Sequence, residues 1–163
     1  MYTFSNFEHK LKTIELVRDF IFAGKSTFTL RNANSGNRFT YEVRAPRKQN
    51  TNKPVFFVKV MTGSDNEKSY SFAGTLFGKY KYQHSPKSPL TITTNSLQFF
   101  QAFLRFVETG VLPNGVEFWH EGRCGHCGKK LTVPESIRTG FGPLCAPKMW
   151  KESKRQLKLT TSK

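Results

Sequence analysis

Apolar residues at helical spacing mark the first 24 residues as a helix with a signal at each end. Ser5 and Glu8 have the spacing of a capping box, in which each side chain accepts a hydrogen bond from an otherwise free backbone N–H. Gly24 suits the C-terminal cap. The apolar stripe between these signals is typical of a core-facing helix and consists of Phe7, Leu11, Ile14, Val17 and Ile21. We therefore predict one helix between Ser5 and Gly24.

Alternating apolar and polar residues predict strands between residues 25 and 93. Two alternating runs flank the turn-rich segment from Asn32 to Asn37, which indicates a β-hairpin. The run VFFVKVM after Pro54 predicts a buried strand, and YSFAGTLF predicts another. LTIT, which follows the break SPKSP at 85–89, could form a short edge strand. In KYKYQH tyrosines alternate with lysines, which could stack bases, but we interpret the tyrosines as packed on the sheet.

A second helix is predicted from Asn95 or Ser96 to Gly110, where apolar residues recur every three or four positions. The order of helix, strands and helix favours an α+β fold, with an antiparallel sheet of four or five strands flanked by two helices on one face. The other face could stay in contact with water. We assign residues 1–115 to this domain and residues 116–163 to a small C-terminal zinc-finger module with a basic C-terminal helix.

Charge is unevenly distributed along the 163 residues, whose formal net charge is +15. Residues 25–87 carry a net charge of +9 and residues 123–163 one of +8, whereas residues 88–122 carry −2. A surplus of this size favours polyanions, nucleic acid above all, because binding releases condensed counterions. The first basic block coincides with the predicted strands, so it would supply the water-facing side of the sheet. An acidic protein partner is the alternative that charge alone leaves open.

Composition is that of a globular protein. Hydrophobic residues make up 37% of the chain and include 16 phenylalanines, which is enough for a core. No apolar run approaches the roughly 20 residues that span a bilayer, and MYTFSNFEHK lacks the layout of a signal peptide. We expect a soluble, cytoplasmic protein that does not act at a membrane, and nothing in the sequence indicates a small-molecule substrate.

All three cysteines lie within the stretch WHEGRCGHCGKKLTVPESIRTGFGPLC. Cys124 and Cys127 form a C-x2-C pair followed by Gly128, and 17 residues separate Cys127 from Cys145. In an intracellular protein this pattern favours metal binding or redox chemistry over a disulfide framework. A redox pair would leave Cys145 unused, and the residues after Cys127 do not begin a helix well. We therefore predict a zinc knuckle in which Cys145 precedes a basic helix.

Three thiolates need a fourth ligand to complete a tetrahedral zinc site, and two histidines compete for that place. His120 precedes the cysteine pair, and His126 lies inside it. A residue inside so short a turn generally points away from the metal, so His120 is the preferred ligand. A closed shell leaves no position for water, so the predicted Zn²⁺ is structural. The predicted ligands are Cys124, Cys127, Cys145 and His120.

The same stretch resembles a short zinc-finger domain of unknown function that occurs in bacteriophage proteins and bacterial helicase-like proteins. The shared motifs are C-x2-C-G, then L-T-x-PES, then G-x-GP-x-C. Upstream, RFTYEVRAP and VKVMTGSDNEKSYSFAGTLF are also similar to phage-encoded proteins that end in this finger. The resemblance implies a phage or prophage origin, hence a bacterial host cytoplasm, and no assigned catalysis. A treble-clef finger places a ligand three residues after its third cysteine, but this chain has Lys148 there.

These features predict a non-enzymatic zinc protein that binds nucleic acid through basic surfaces. The residues expected to contact phosphates or a partner are Arg123, Lys129, Lys130, Arg138, Lys148, Lys151, Lys154 and Arg155. The alternative is a phage counter-defence protein, anti-CRISPR-like, or a host-takeover inhibitor that binds a bacterial protein or ribonucleoprotein. A metal-dependent nuclease is a weaker hypothesis, because the two aspartates, Asp19 and Asp65, are far apart in sequence and no paired carboxylates flank a histidine.

Overall fold

The protein is an antiparallel sheet covered on one face by helices. The structure is a computed structural model that describes residues 9–49, 52–63 and 69–150. Within these residues the sheet has seven strands in the order β1-β7-β2-β3-β4-β5-β6. The strands are β1 (Lys10–Leu11), β2 (Lys25–Asn32), β3 (Arg38–Arg44), β4 (Val55–Met61), β5 (Tyr70–Phe77), β6 (Lys81–His84) and β7 (Val116–His120). The helices are α1 (Ile14–Ile21), α2 (Asn95–Thr109) and α3 (Pro134–Thr139), and residues 146–150 are also helical.

Aromatic contacts place both long helices on the same face of the sheet. From α2, Phe100 packs on Tyr41 of β3 with ring centroids 5.0 Å apart. From α1, Phe20 meets Phe118 of β7 edge to face at 5.8 Å. The α+β class is therefore confirmed. The strand count of four or five is wrong, because β1 and β7 also belong to the sheet.

The N-terminal helix begins later than its apolar stripe predicts. Leu11 lies in β1, opposite Phe118 of β7, so it is buried in a strand rather than on the helix. The helix starts after Thr13, whose hydroxyl accepts a hydrogen bond from the backbone N–H of Leu16 at 3.2 Å. The predicted capping box at Ser5 and Glu8 lies outside the described residues.

The predicted edge strand at LTIT is also absent from the described sheet. Residues 90–93 form the turn that leads into α2, and the Thr94 N–H donates to the Thr91 carbonyl at 3.0 Å. The prediction for α2 itself is confirmed, since it ends at Gly110 in the left-handed conformation that glycine adopts without strain. None of the helices in the described segments is long and apolar enough to cross a membrane.

Strand β7 ties the C-terminal part of the chain to the sheet. It lies between β1 and β2, with Phe118 opposite Leu30. The ring of Phe118 is buried and stacks on Phe28 with centroids 4.6 Å apart. Residues 116–120 are thus part of the sheet and of its core. The assignment of residues 116–163 to a separate module stays a prediction.

The face of the sheet away from the helices carries a distinct set of side chains. Strand alternation and register assign to it every second residue of β2, β3, β4 and β6, together with Lys10 of β1 and two residues of β7. In β5 a bulge interrupts the alternation, so the members there are those opposite the open-face residues of β4. We call this surface the open face. Its charged and aromatic members are Lys10, Lys25, Arg31, Arg38, Glu42, Arg44, Phe57, Lys59, Tyr70, Phe72, Phe77, Lys81, Glu117 and Trp119.

The position of β7 can be tested by truncating its central aromatic residue. Phe118→Ala should lower the free energy of unfolding by about 3–5 kcal/mol, the usual cost of removing a buried phenylalanine ring. Phe77→Ala is the matched control, since that ring is 42% exposed on the open face. Urea denaturation followed by circular dichroism measures both. Equal losses for the two variants would contradict this placement of β7.

Candidate metal centre

The first two cysteines lie in a tight hairpin that follows β7. Residues 122–131 fold back on themselves and are joined by a bridge between Arg123 and Lys130. We call these residues the cysteine hairpin. At its turn, the Gly128 N–H donates to the Cys124 carbonyl at 2.9 Å. Gly128 has a φ of +79°, which L side chains rarely adopt, so a glycine suits the place where the chain reverses.

Two glycines let the cysteine hairpin and the end of α3 approach the ring of Phe20. A Cβ atom added to Gly125 would lie 2.8 Å from this ring, and one added to Gly140 would lie 2.7 Å from it. The two glycines also contact each other, because the Gly125 N–H donates to the Gly140 carbonyl at 3.0 Å. The hairpin therefore packs directly on the core rather than standing apart from it.

The third cysteine is brought back by a turn after α3. The Cys145 N–H donates to the Gly142 carbonyl at 3.1 Å, and the Cys145 carbonyl accepts from the Met149 N–H at 3.0 Å. Cys145 thus stands at the start of the helical residues 146–150. The buried ring of Phe141 anchors this turn against Phe20, with centroids 6.0 Å apart.

These elements bring the three thiols together. The sulfur atoms of Cys124, Cys127 and Cys145 all lie within 4.8 Å of one another, so the three residues could hold a metal ion. Cys124 and Cys145 are buried, and Cys127 is partly buried. Thiolate sulfur is a soft donor, and a cluster of three such donors suits a soft or borderline metal ion. The prediction that these three cysteines form one cluster is confirmed.

Electrostatics favours a cation between the thiols. Burial raises the pKa of Cys124, but backbone N–H groups of Gly142, Cys127 and His126 that point at its sulfur outweigh this and lower the pKa overall. For Cys145, burial together with the neighbouring thiols raises the pKa. One thiolate is therefore stabilised by the fold, whereas three without a cation would repel one another. A bound divalent ion removes this conflict, so the donor set fits a metal.

The structure places His120 outside this cluster. Its Nδ1 accepts a hydrogen bond from the Gly122 N–H at 2.9 Å, and its Nε2 lies 2.5 Å from the Ile137 carbonyl, to which it donates. Burial lowers its pKa to about 4, which keeps the ring neutral, with one donor and one acceptor nitrogen. Neither nitrogen has a free lone pair for a metal in this arrangement. In this arrangement His120 is not a ligand of the cluster, and the prediction that it is the fourth ligand is corrected here.

The alternative ligand, His126, also turns away from the thiols. Its Nδ1 lies 3.0 Å from the carbonyl of Ala23, at the end of α1. Among the described residues, the cluster of close metal-ligating groups contains cysteines alone. Strand alternation could have revealed the role of His120. In VEFWH it lies on the same side as Phe118, which faces the core.

The predicted phosphate-binding residues lie on several elements of the C-terminal part, and only some of them are among the described residues. Arg123, Lys129, Lys130 and Lys148 are exposed around the cysteine hairpin and the helical residues 146–150. Arg138 is exposed on α3 but pairs with Glu135 at 2.5 Å. Three of the predicted residues lie outside the described part of the chain, namely Lys151, Lys154 and Arg155.

The contact between the cysteine hairpin and Phe20 yields a test that needs no metal. Gly125→Ala should lower the free energy of unfolding by about 1–3 kcal/mol, the usual cost of overpacking, because its methyl group meets the buried ring. Gly142→Ala is the control, since an added Cβ there meets nothing within 4 Å. Urea midpoints of the two variants measure the difference. An unchanged midpoint for Gly125→Ala would show that the hairpin does not rest on Phe20.

Comparison with known protein families gives a match that covers this segment. A model described as "Family of unknown function (DUF6011)" matches residues 117–149, which run from β7 through the cysteine hairpin and α3 to the turn at Cys145. No curated protein and no solved structure matches the chain significantly. The resemblance to a short domain of unknown function is thus confirmed for the cysteine-bearing segment, and a phage origin stays a prediction.

Proposed function

We propose that the protein holds one structural zinc ion and binds nucleic acid through its basic surfaces without catalysing a reaction. The charge of the open face is the observation that supports nucleic-acid binding. Its described basic residues are Lys10, Lys25, Arg31, Arg38, Arg44, Lys59 and Lys81, whereas its acidic ones are Glu42 and Glu117.

The chemistry of the cysteine cluster supports zinc as the metal. Zn–S bonds of about 2.3 Å in a tetrahedron put sulfurs about 3.8 Å apart, a spacing compatible with the observed limit of 4.8 Å. Cys124, Cys127 and Cys145 would supply three thiolates, and zinc would supply the positive charge that lets all three ionise. Burial of Cys124 and Cys145 against the core supports a structural role for the metal.

The zinc proposal predicts which side chains retain the metal. Protein purified without added metal should contain about one zinc per chain, as one site requires. His120→Gln and His126→Ala should both keep that zinc, because neither ring contributes to the cluster. Cys145→Ser should lose most of it, and elemental analysis measures all four proteins. Zinc-free wild-type protein, or zinc lost through either histidine variant while the fold persists, would contradict the site.

The charge balance supports a polyanionic partner. The chain has 26 basic and 11 acidic side chains, so a net charge of +15 remains even if each carboxylate takes one cation. Within the open face, Glu117 pairs with Lys10 and Arg31, and Glu42 pairs with Arg44. No ion pair joins Arg38 or Lys59 to a carboxylate of the described residues. These side chains are available for phosphate groups, which bind cations without regard to base sequence.

A host complex is the second candidate partner. The similarity to phage-encoded proteins favours a counter-defence or host-takeover role in a bacterial cytoplasm, in which a basic surface occupies the nucleic-acid groove of a host protein or ribonucleoprotein. This candidate uses the same surface but predicts weak binding to free nucleic acid. The binding experiment below therefore separates the two.

Salt dependence of binding tests the proposed nucleic-acid surface. Neutralising Arg38 and Lys59 together as glutamines should flatten the slope of log affinity against log salt by about 1.8 on duplex DNA, or about 0.9 for each lost phosphate contact. Arg105→Gln is the control, because Arg105 is exposed on α2, on the helix-covered side. Fluorescence anisotropy across a salt series measures the slopes. An unchanged slope for the double variant, or no binding by the wild type, would contradict the proposal.

A further inference from the structure

Three phenylalanines lie on neighbouring positions of the β4–β5 part of the open face. Phe57 lies on β4, and Phe72 and Phe77 lie on β5. Phe57 is opposite Thr75, Lys59 is opposite Phe72, and Val55 is opposite Phe77. The β4–β5 register shifts by one residue between Val58 and Lys59, and in this register Phe57 is the diagonal neighbour of both other rings. We call these three residues the aromatic triplet.

Each ring of the aromatic triplet has a cation on the adjacent strand. Arg44 of β3 is directly opposite Phe57, Lys59 of β4 is opposite Phe72, and Lys81 of β6 is opposite Phe77. The three pairs involve four different strands, so they do not follow from one repeated sequence motif. Rings and cations thus alternate across the same surface.

The conformation of Arg44 is fixed by its neighbours on the sheet. Its guanidinium contacts Glu42 at 3.3 Å and donates to the Thr27 hydroxyl at 2.8 Å, as well as to the Ser26 carbonyl. Lys59 and Lys81 form no ion pair with a carboxylate of the described residues, and both are exposed. The aromatic triplet is therefore bordered by Arg44, whose side chain is fixed by hydrogen bonds, and by Lys59 and Lys81, whose side chains can reach a ligand.

The rings are exposed to a degree that core packing does not explain. Phe57 is 38% exposed and Phe77 is 42% exposed, although both lie in strands whose opposite face is buried. Phe72 is partly buried beside them. Adjacent exposed rings on a sheet mark a binding surface more often than single exposed apolar residues do. The cations beside them favour a ligand with flat apolar groups and negative charge.

We propose that the open face binds single-stranded nucleic acid, with bases stacked on Phe57, Phe72 and Phe77 and phosphates contacted by Arg44, Lys59 and Lys81. The proposal rests on the proposed function and specifies its ligand. Exposed bases of a single strand can stack on aromatic side chains, whereas a duplex keeps its bases stacked inside. Stacking on phenyl rings is tolerant of sequence, so binding should show little base preference.

The tyrosines of KYKYQH, for which the sequence analysis preferred packing over base stacking, are not part of this surface. Tyr82 faces the helices and meets Phe100 edge to face at 6.2 Å. Tyr80 packs on Phe22 at 5.2 Å. Both tyrosines therefore contact the helix side, and the open face is lined by the phenylalanines instead.

The experiment compares single-stranded and duplex probes at about 0.15 M salt, near physiological ionic strength. Fluorescein-labelled oligo-deoxythymidine, oligo-uridine and a mixed-sequence DNA duplex are titrated with zinc-loaded protein. Phe57→Leu keeps the side chain apolar but removes the ring. It should weaken binding of both single strands at least five-fold, as the loss of one base stack implies, and leave duplex binding unchanged. Phe106→Leu is the control, since Phe106 is 45% exposed on α2.

Three other outcomes would each overturn a proposal. If wild-type protein binds none of the probes, the proposed function fails and the single-strand proposal fails with it. If all probes bind but Phe57→Leu weakens single strands and duplex equally or not at all, the single-strand proposal alone fails. If Phe57→Leu instead abolishes self-association seen by sedimentation velocity, the open face binds a second copy of the chain and the proposal is wrong.

Discussion

The buried ring of Phe20 makes the contacts on which the arrangement of the sheet, the cysteine hairpin and the Cys145 turn depends. It meets Phe118 of β7 at 5.8 Å and Phe141 of the Cys145 turn at 6.0 Å. Gly125 and Gly140 close over the same ring at distances that exclude a larger side chain. One residue of α1 therefore joins the sheet, the cysteine hairpin and the third cysteine. The thiols converge because the elements that carry them pack against this ring.

Among the described residues, this packing places the helices and the cysteine hairpin on one face of the sheet. The long helices, the cysteine hairpin and the Cys145 turn all contact the helix-side core, which includes Phe20, Cys124 and Phe141. The face opposite keeps the cations and rings that a ligand can reach. The cysteine cluster and the open face are therefore separate parts of the molecule. The former packs against the core, and the latter presents charge and aromatic side chains on the sheet.

The sequence predicted the elements whose signals are local. The β2–β3 hairpin, the VFFVKVM strand and α2 were recognisable from alternation, turn residues and helical spacing, and each is present. The cysteine cluster was equally predictable, because ligand spacing in a knuckle is set by local backbone geometry. Gly110 shows the same principle, since a helix that ends in a left-handed residue favours glycine.

The features that the sequence could not predict depend on pairing between distant segments. Leu11 fits a helical stripe, but its partner across the sheet is Phe118, more than 100 residues later. Alternation in β7 could have placed His120 on the core side, but its partner there, the carbonyl of Ile137, lies 17 residues later in the chain. Phe57 looked like one more core residue within VFFVKVM. Only the register with Arg44 shows that it lies on the open face.

Hydrogen exchange in a Phe20→Leu variant tests most directly whether this ring joins the three elements. Backbone amides in β7, in the cysteine hairpin and in the Cys145 turn should all exchange faster, because each of these segments has lost the same neighbour. Amides of β5 and β6, which lie at the other end of the sheet, should keep their wild-type protection. Faster exchange confined to α1, with the hairpin and the Cys145 turn unchanged, would contradict the account.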